Sequence, residues 1–283
     1  MRSPGRKRFL RSAQKGMRLM AEGFHLATLW DRVSAWLRDD LQIVLPVAGV
    51  FFFLPSVILS RFLPASAEAF TPGMLAPLLL MLLLQTAGQL VIFALLLDTG
   101  KPTVRQAIRQ GAHRLVPAIG VQLMIFAIFC GLLLVGQILV MLFGGAAGKV
   151  AQADNAAMLR LAAMGLLIAS PAILYLLARA LVVFPVLMRE SLAPLAALRR
   201  AFDLTRGHGW KIAGLILAAT FLYFLIQIAF TAAFGSVFTV MGRLLGLEAV
   251  AALLTLLLVS ALGTIATLLA TGGIGFIYRD LAR

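Results

Sequence analysis

Long apolar stretches dominate the pattern along the chain, and short polar segments separate them. Six of these runs are long enough to cross a hydrocarbon core of about 30 Å, which takes about 20 helical residues. They are Leu41–Ser60, Leu75–Leu97, Leu115–Phe143, Leu161–Met188, Ile212–Phe234 and Ala249–Tyr278. Because backbone groups in lipid find no water to bond, each run is expected to be helical. The pattern predicts an all-α membrane protein with six transmembrane helices, in which residues 17–283 form one domain.

Basic residues are concentrated in every second one of the polar segments that flank these runs. Residues 1–40, 98–114, 189–211 and 279–283 carry 20 of the 25 Lys and Arg residues, whereas the three intervening loops carry four. Cytoplasmic loops of membrane proteins are enriched in Lys and Arg. The distribution predicts that both termini lie in the cytoplasm. That orientation requires an even number of spans, and six satisfies it.

The composition narrows the class of protein further. Hydrophobic residues make up 61% of the chain and charged residues 13%, whereas soluble domains have about 45–50% and about 25%. The 25 Lys and Arg residues face only 11 acidic ones, which gives a formal net charge of +14. Such a chain is not expected to be a soluble enzyme or a disordered protein. The single cysteine, Cys130, also excludes an internal disulfide.

The first 16 residues differ from the rest of the chain. They are basic and contain Ser, Pro and Gly but no apolar stretch, whereas a secretory signal needs an apolar segment after its basic start. We expect residues 1–16 to form a disordered tail that faces the lipid surface. The alternative is that Met17 is the true start of the protein.

Three connecting segments have the pattern of amphipathic helices. In Phe24–Leu41, Thr103–Leu115 and Ser191–Thr205, apolar residues recur at helical spacing and arginines occupy the other side. Thr103 and Gln106 also have the spacing of a capping box. This pattern predicts interfacial helices on the cytoplasmic membrane surface. The alternative is that they pack under the bundle with a solvated charged face.

Residues for catalysis are scarce. The three histidines, His25, His113 and His208, are scattered, and the chain contains no zinc motif, P-loop or G-x-S-x-G sequence. No apolar run contains a carboxylate, which ion-coupled transporters usually keep in the membrane. A His-Arg dipeptide, such as His113-Arg114, is the start of the active-site motif of glycerophosphodiester phosphodiesterases. In that motif a glycine is required next, but here Leu115 follows. We expect an interfacial histidine there, and no enzyme activity, cofactor or metal site.

Polar residues within the runs leave two interpretations open. Arg179 is the only charged residue inside a run, and its side chain either extends to the inner headgroups for structural reasons or contacts an anion such as a lipid phosphate. The amides of the runs either tie helices together by hydrogen bonds or line a polar path; they are Gln85, Gln89, Gln122, Gln137 and Gln227. We favour the structural interpretation in both cases.

Small residues form a stripe along the sixth run. Gly263, Thr267, Thr271 and Gly275 recur at a spacing of four, which places them on one helix face. Small residues at this spacing let two helix backbones approach closely. The stripe predicts a helix-packing seam, with its partner helix either in the same chain or in another chain.

The region from the fourth run into the fifth has the most distinctive motif. Tyr175-x-x-x-Arg179 is followed by Pro185 and Glu190, then by Ala197-Leu198 before Arg199-Arg200, and by Leu204-Thr205-Arg206-Gly207 before Trp210; the chain ends with Tyr278-Arg279-Asp280-Leu281 before its last two residues. This pattern resembles the membrane-domain family named after glycerophosphoryl diester phosphodiesterases and the related YciC-like bacterial inner-membrane proteins. The family often has Ser-Trp where this chain has Ala201-Phe202.

The resemblance implies a stand-alone, non-catalytic membrane domain in the plasma membrane of a bacterium. No phosphodiesterase catalytic domain accompanies the motif, so the activity in the family's name is not expected here. Suggested roles in the family concern envelope maintenance. Within the motif, Arg179, Arg199, Arg200 and Arg206 form a candidate cytoplasmic cluster for lipid phosphate.

The residues and the resemblance lead to one functional prediction and one alternative. We expect an integral inner-membrane protein that organises the membrane or envelope through contacts with anionic lipid headgroups, a membrane-protein partner or a second copy of itself. The alternative is a transporter or permease-like component for a lipid or a small amphiphile. A polar cavity lined by Gln85, Gln89 and Gln122 would favour the alternative. No nucleic-acid partner is expected.

Overall fold

The structure, a computed structural model, describes residues 26–60, 72–98, 100, 102–143 and 155–282, and within them it is all-helical. The helices are α1 (Leu26–Ala48), α2 (Leu54–Leu59), α3 (Leu75–Leu97), α4 (Val104–Phe143), α5 (Asn155–Ala180), α6 (Val183–Glu190), α7 (Pro194–Leu204), α8 (Gly209–Phe230), α9 (Ser236–Leu245) and α10 (Glu248–Leu281). The predicted tail 1–16 lies outside the described residues, as do residues 24–25 of the first predicted surface helix.

Six helical stretches are long and apolar enough to cross a membrane. They are Ala27–Leu59, Leu75–Leu97, Val104–Leu142, Arg160–Glu190, Gly209–Leu245 and Glu248–Leu281. The predicted all-α fold with six candidate transmembrane helices is therefore confirmed. Most of these stretches extend beyond the predicted runs, because helices continue into the polar segments at their ends.

Irregular turns divide three of the six stretches. π-Helical turns at Gly49–Phe53 and Thr231–Gly235 connect α1 to α2 and α8 to α9. The fourth stretch is interrupted between α5 and α6. Pro185 accounts for this interruption, because a proline has no N–H to donate to the carbonyl four residues earlier and its ring clashes with that carbonyl. Helix α6 therefore starts anew, with the Val186 N–H donating to the Val182 carbonyl at 3.1 Å.

Only one of the three predicted surface helices is a separate element. Helix α7 falls within Ser191–Thr205, whereas the described parts of the other two segments are continuous with α1 and α4. The predicted capping box at the start of α4 is confirmed: the Thr103 N–H donates to Gln106 Oε1 at 3.0 Å, and the Gln106 N–H donates to Thr103 Oγ1 at 3.4 Å. Since α4 has 40 residues, it is about 60 Å long and exceeds a bilayer core.

The hydrophobic core lies in one half of the bundle. Side chains with almost no exposed surface come from α1, the last turns of α3, the first half of α4, α6 with the residue before it, and the start of α8. They include Val44, Leu90, Phe93, Val121, Val182, Val183, Val186, Leu187 and Ile212. The remote halves of α4, α5, α8 and α9 instead expose large apolar side chains such as Leu142, Leu167, Phe221 and Leu244. Lipid tails solvate such side chains as well as a protein core does. The side chains with almost no exposed surface are therefore concentrated in the half of the bundle that holds this core.

An ion pair joins the first and last helices in that same half. Arg32 of α1 donates from Nη1 to Asp280 Oδ2 at 2.6 Å and from Nη2 to Asp280 Oδ1 at 3.2 Å. The guanidinium carbon of Arg32 also lies 4.8 Å from the centroid of the Phe276 ring. The described start and end of the chain thus lie at the same end of the bundle. We call it the basic end, because Arg32, Arg109, Arg114, Arg189, Arg200 and Arg279 all lie there.

We predict that Asp280→Asn lowers the free energy of unfolding by about 0.5–1 kcal/mol, because it removes the charge that pairs with Arg32 at a partly exposed site. Arg32→Asp combined with Asp280→Arg should recover part of this loss. The measurement is an equilibrium unfolding titration of the purified protein in mixed micelles. Asp31→Asn serves as the control, since Asp31 is exposed and forms no ion pair within the described residues. Equal effects of Asp31→Asn and Asp280→Asn would contradict the prediction.

Candidate functional site

Arg179 lies in the last turn of α5, and each nitrogen of its guanidinium group contacts an acceptor of the protein. Nε donates to Thr205 Oγ1 at 3.4 Å, and Nη2 donates to the backbone carbonyl of Phe202 near the end of α7. Nη1 lies 3.5 Å from the Tyr175 hydroxyl one turn earlier on α5. A charged donor with partners on all three nitrogens is stabilised without a ligand. These contacts attach α5 to α7.

Two aromatic rings enclose the same guanidinium group. Its central carbon lies 4.7 Å from the centroid of the Phe202 ring and 5.5 Å from that of Tyr175, within the range of cation–π attraction. The Tyr175 ring in turn packs against Trp210, with centroids 5.3 Å apart. Gly209 makes this packing possible, because a Cβ atom there would lie 2.7 Å from the Tyr175 ring.

Thr205 and Gly207 complete this group of residues at the end of α7. Thr205 is fully buried, and its Oγ1 donates to the Ala201 carbonyl at 2.8 Å while it accepts from Arg179. Gly207 has a φ of 84°, which glycine adopts without a steric penalty. The distinctive motif therefore builds a structural joint between α5, α7 and α8. We call Tyr175, Arg179, Phe202 and Thr205 the Arg179 joint.

Glu190 connects helices α6, α7 and α10 at the basic end. It ends α6, accepts from Arg200 Nε of α7 at 3.1 Å, and accepts from the Tyr278 hydroxyl of α10 at 3.4 Å. Half of the Arg200 side chain remains exposed (47%), so the ion pair itself contributes little to stability. The geometric effect is that α6, α7 and α10 share one carboxylate.

The four arginines predicted to form a lipid-phosphate cluster occupy three different settings. Arg179 is held within its joint, Arg200 is paired with Glu190, and Arg199 and Arg206 are exposed. Only the last two present a guanidinium group without a partner in the described part of the chain. Binding of lipid phosphate by all four stays a prediction.

The predicted seam on α10 touches several elements. Gly275 lies directly against Leu96 of α3, and a Cβ atom there would overlap that side chain. Thr271 is buried, whereas Thr267 and Gly263 are partly buried, and Gly263 lies near the Tyr223 hydroxyl of α8. A close approach to α3 is seen at the Gly275 end of the stripe. A continuous seam over all four residues stays a prediction.

Two of the glutamines within the spans form interhelical hydrogen bonds. The Thr86 hydroxyl of α3 donates to Gln122 Oε1 of α4 at 3.0 Å, and Gln137 Nε2 of α4 donates to the Ala162 carbonyl of α5 at 3.2 Å. The helix-tying interpretation is thus confirmed for Gln122 and Gln137. Gln85 and Gln89 are partly buried on α3.

Two adjacent cavities lie at the basic end. One, of about 460 Å³, lies between α3, α4 and the end of α6 and is lined by three arginines. The other, of about 300 Å³, lies beside it against the end of α10. Their lining residues include Asp98, Arg109, His113, Arg114, Arg189, Ser191 and Arg279. Neither cavity is lined by Gln85, Gln89 or Gln122. In the sequence, these arginines are visible only as basic residues of connecting segments, so the pattern indicates topology rather than a site.

Within the residues that the structure describes, no group of three His, Cys, Asp or Glu side chains is placed to hold a metal ion. His113, which we expected at the membrane interface, is exposed and lines the larger cavity. The expectation that the chain is not an enzyme stays a prediction.

Comparisons of the chain with protein-family models, with curated proteins and with solved structures found no match.

Proposed function

We propose that this chain is a non-catalytic protein of a bacterial plasma membrane, with both termini in the cytoplasm, that organises the membrane through contacts of its basic end with anionic lipid headgroups or with membrane proteins. The observation that carries the proposal is the collection of arginines from α1, α4, α6, α7 and α10 at one end of an apolar bundle. Anionic inner-leaflet lipids attract such a surface.

The use of polar groups inside the bundle supports this proposal. Arg179, Gln122 and Gln137 are bonded to neighbouring helices, which is what helix-tying groups do in membrane proteins. A transport path would instead need polar groups that line a continuous cavity. The resemblance of the Arg179 motif to the membrane-domain family, whose suggested roles concern the envelope, supports the same proposal.

The orientation is tested by labelling single cysteines in a Cys130→Ser background. Ala282→Cys lies at the basic end, and Leu247→Cys lies at the opposite end, because α10 connects the two. In intact spheroplasts we expect a membrane-impermeant maleimide to label Leu247→Cys and to label Ala282→Cys only after permeabilisation. The reverse pattern would overturn the proposed topology.

The role in the envelope is tested in the source bacterium. Deletion of the gene should raise the uptake of a membrane-impermeant dye after mild detergent stress, and the wild-type chain should restore the barrier. Unchanged uptake in the deletion strain would contradict the proposal.

The lipid-transport alternative is tested with the purified chain, which is reconstituted into vesicles that contain a fluorescent lipid, and quenching of that lipid by dithionite is followed. Flipping no faster than in empty vesicles is expected, whereas accelerated flipping would favour the lipid-transport alternative.

A further inference from the structure

The larger cavity at the basic end concentrates positive charge. Arg109 and Arg114 of α4 and Arg189 of α6 line it together with His113. Asp98 is the one carboxylate among its lining residues, and its Oδ1 accepts from the Gly100 N–H at 3.1 Å. Three guanidinium groups with one carboxylate leave the cavity with an excess of positive charge at neutral pH.

These three arginines differ from two other arginines at the same end, Arg32 and Arg200. Arg32 and Arg200 have carboxylate partners, Asp280 and Glu190. Arg109, Arg114 and Arg189 form no ion pair with any residue that the structure describes. Like charges that line one concave site repel one another, and an anion bound between them relieves that repulsion.

Ser191 in the cavity wall has a strained backbone. It follows α6 with a φ of 53° and a ψ of 32°, and it is the one non-glycine residue with a positive φ in the described part of the chain. Non-glycine residues held in this left-handed conformation are found at ligand sites more often than elsewhere. Here the conformation places the Ser191 hydroxyl against Arg114 Nη2. The hydroxyl therefore orients one of the three guanidinium groups.

The smaller cavity extends the same charged surface. It shares Leu97, Asp98 and Arg189 with the larger one and adds Arg279 at the end of α10. Arg189 thus lines both cavities, and arginines from α4, α6 and α10 line two adjacent cavities. Four residues of the larger cavity are apolar, namely Phe93, Ala94, Leu97 and Met188.

The depth of the site matches the headgroup region. Helix α3 has 23 residues and is therefore about 34 Å long, close to the thickness of a hydrocarbon core. Its last residue, Leu97, lines both cavities. The arginines consequently lie where the apolar core ends.

We propose that this cavity binds a phosphate group, held by Arg109, Arg114 and Arg189, from either an anionic phospholipid headgroup or a soluble phosphate ester. The planar guanidinium fork pairs with two phosphate oxygens at once. A volume of about 460 Å³ falls in the range of small-molecule sites, about 300–1,000 Å³. The lipid source rests on the proposed function, whereas the soluble source does not. The site is distinct from the predicted cluster of Arg179, Arg199, Arg200 and Arg206.

Binding is tested with the full chain in two arms. In the lipid arm, nanodiscs of phosphatidylcholine with or without phosphatidylglycerol are compared by the unfolding midpoint of the protein. In the soluble arm, glycerol 3-phosphate and inorganic phosphate are titrated calorimetrically against the protein in phosphatidylcholine nanodiscs. A midpoint raised by phosphatidylglycerol alone assigns the site to a headgroup, and saturable binding in the second arm assigns it to a soluble phosphate. No response in either arm overturns the proposal.

The site is tested with Arg109→Gln combined with Arg189→Gln. We expect this pair to weaken the response at least tenfold. The control combines Arg38→Gln with Arg105→Gln, two exposed arginines of α1 and α4 that line neither cavity, and should weaken it less than twofold. Equal weakening by both pairs would show a diffuse basic surface and overturn the site. A phosphatidylglycerol effect that survives the cavity pair would also overturn it, while the proposed function would stand.

A second variant separates binding from folding. Ser191→Gly removes the hydroxyl that orients Arg114 and relieves the left-handed backbone. Without phosphate, its unfolding midpoint should equal or exceed that of the wild type, while the binding response falls several-fold. Unchanged binding in a folded Ser191→Gly protein would exclude Ser191 and its contact with Arg114 from the site and overturn the proposal.

Discussion

Arg179→Gln is expected to lower the free energy of unfolding by about 2–4 kcal/mol. Each hydrogen bond to a charged donor contributes about 1.5–3 kcal/mol, and the contact with the two rings adds about 0.5–1 kcal/mol. Glutamine is too short to reach both the Phe202 carbonyl and Thr205 Oγ1, which Arg179 contacts together. The attachment of α5 to α7 should therefore weaken, and the Phe202 carbonyl loses its charged donor.

The loss is measured by unfolding in mixed micelles, with Arg199→Gln as the matched control because Arg199 is an exposed arginine of α7. The control should change stability by less than about 0.5 kcal/mol, as exposed surface substitutions do. Arg179→Lys should resemble Arg179→Gln, since an ammonium group lacks the planar fork. Wild-type stability of Arg179→Gln would show that Arg179 is not a structural residue and would favour the ligand-contact interpretation.

Gly136→Val is expected to destabilise the protein by about 2 kcal/mol or more, because overpacking a closed contact typically costs about 1–3 kcal/mol. Gly136 of α4 faces Gly165 of α5, where the two helix backbones approach closely. A Cβ atom at Gly136 would lie 2.5 Å from the Gly165 carbonyl oxygen and 3.1 Å from Ala169 Cβ. The Gly165 carbonyl belongs to the helix backbone, so relief requires that α5 moves away from α4. The hydrogen bond from Gln137 to Ala162 should then be lost as well.

Gly131→Val in the same helix is the matched control. A Cβ atom at Gly131 meets no atom within 4 Å. The same exchange of glycine for valine therefore creates no steric conflict there. The thermal midpoint of Gly136→Val should fall by several degrees, whereas that of Gly131→Val should remain within about one degree of the wild type. Similar midpoints for the two variants would show that α4 and α5 are not closely packed at this position.

Several local features of the fold could be predicted from the sequence. The number of candidate membrane spans follows from the lengths of the apolar runs, because the bilayer sets a minimum length and forces each run to be helical. The capping box at Thr103 and Gln106 was predicted because its spacing alone defines it. The continuity of α1 and α4 through the predicted surface segments could not be predicted, since an amphipathic pattern fits both a surface helix and the end of a long spanning helix.

The contacts of the candidate site could not be predicted in the same way. Arg32 and Asp280 are 248 residues apart, Tyr278 and Glu190 are 88 apart, and Arg114 and Ser191 are 77 apart. In the sequence, Arg109, Arg114 and Arg189 belong to two separate basic segments. The number of basic residues in a segment indicates only the side of the membrane on which the segment lies. It does not indicate which arginines line the same cavity.

By itself, the sequence determined the helical class, the six apolar segments and the concentration of Lys and Arg in every second polar segment. Only the tertiary structure decided that Arg179 is bonded internally, that Gln122 and Gln137 tie helices together, and that three arginines without carboxylate partners line one cavity. The physical reason is that a helix in lipid is apolar on its buried and its lipid-facing sides alike. The periodicity that reveals the inner face of a soluble helix is then missing, and helix packing alone selects the neighbours of each side chain.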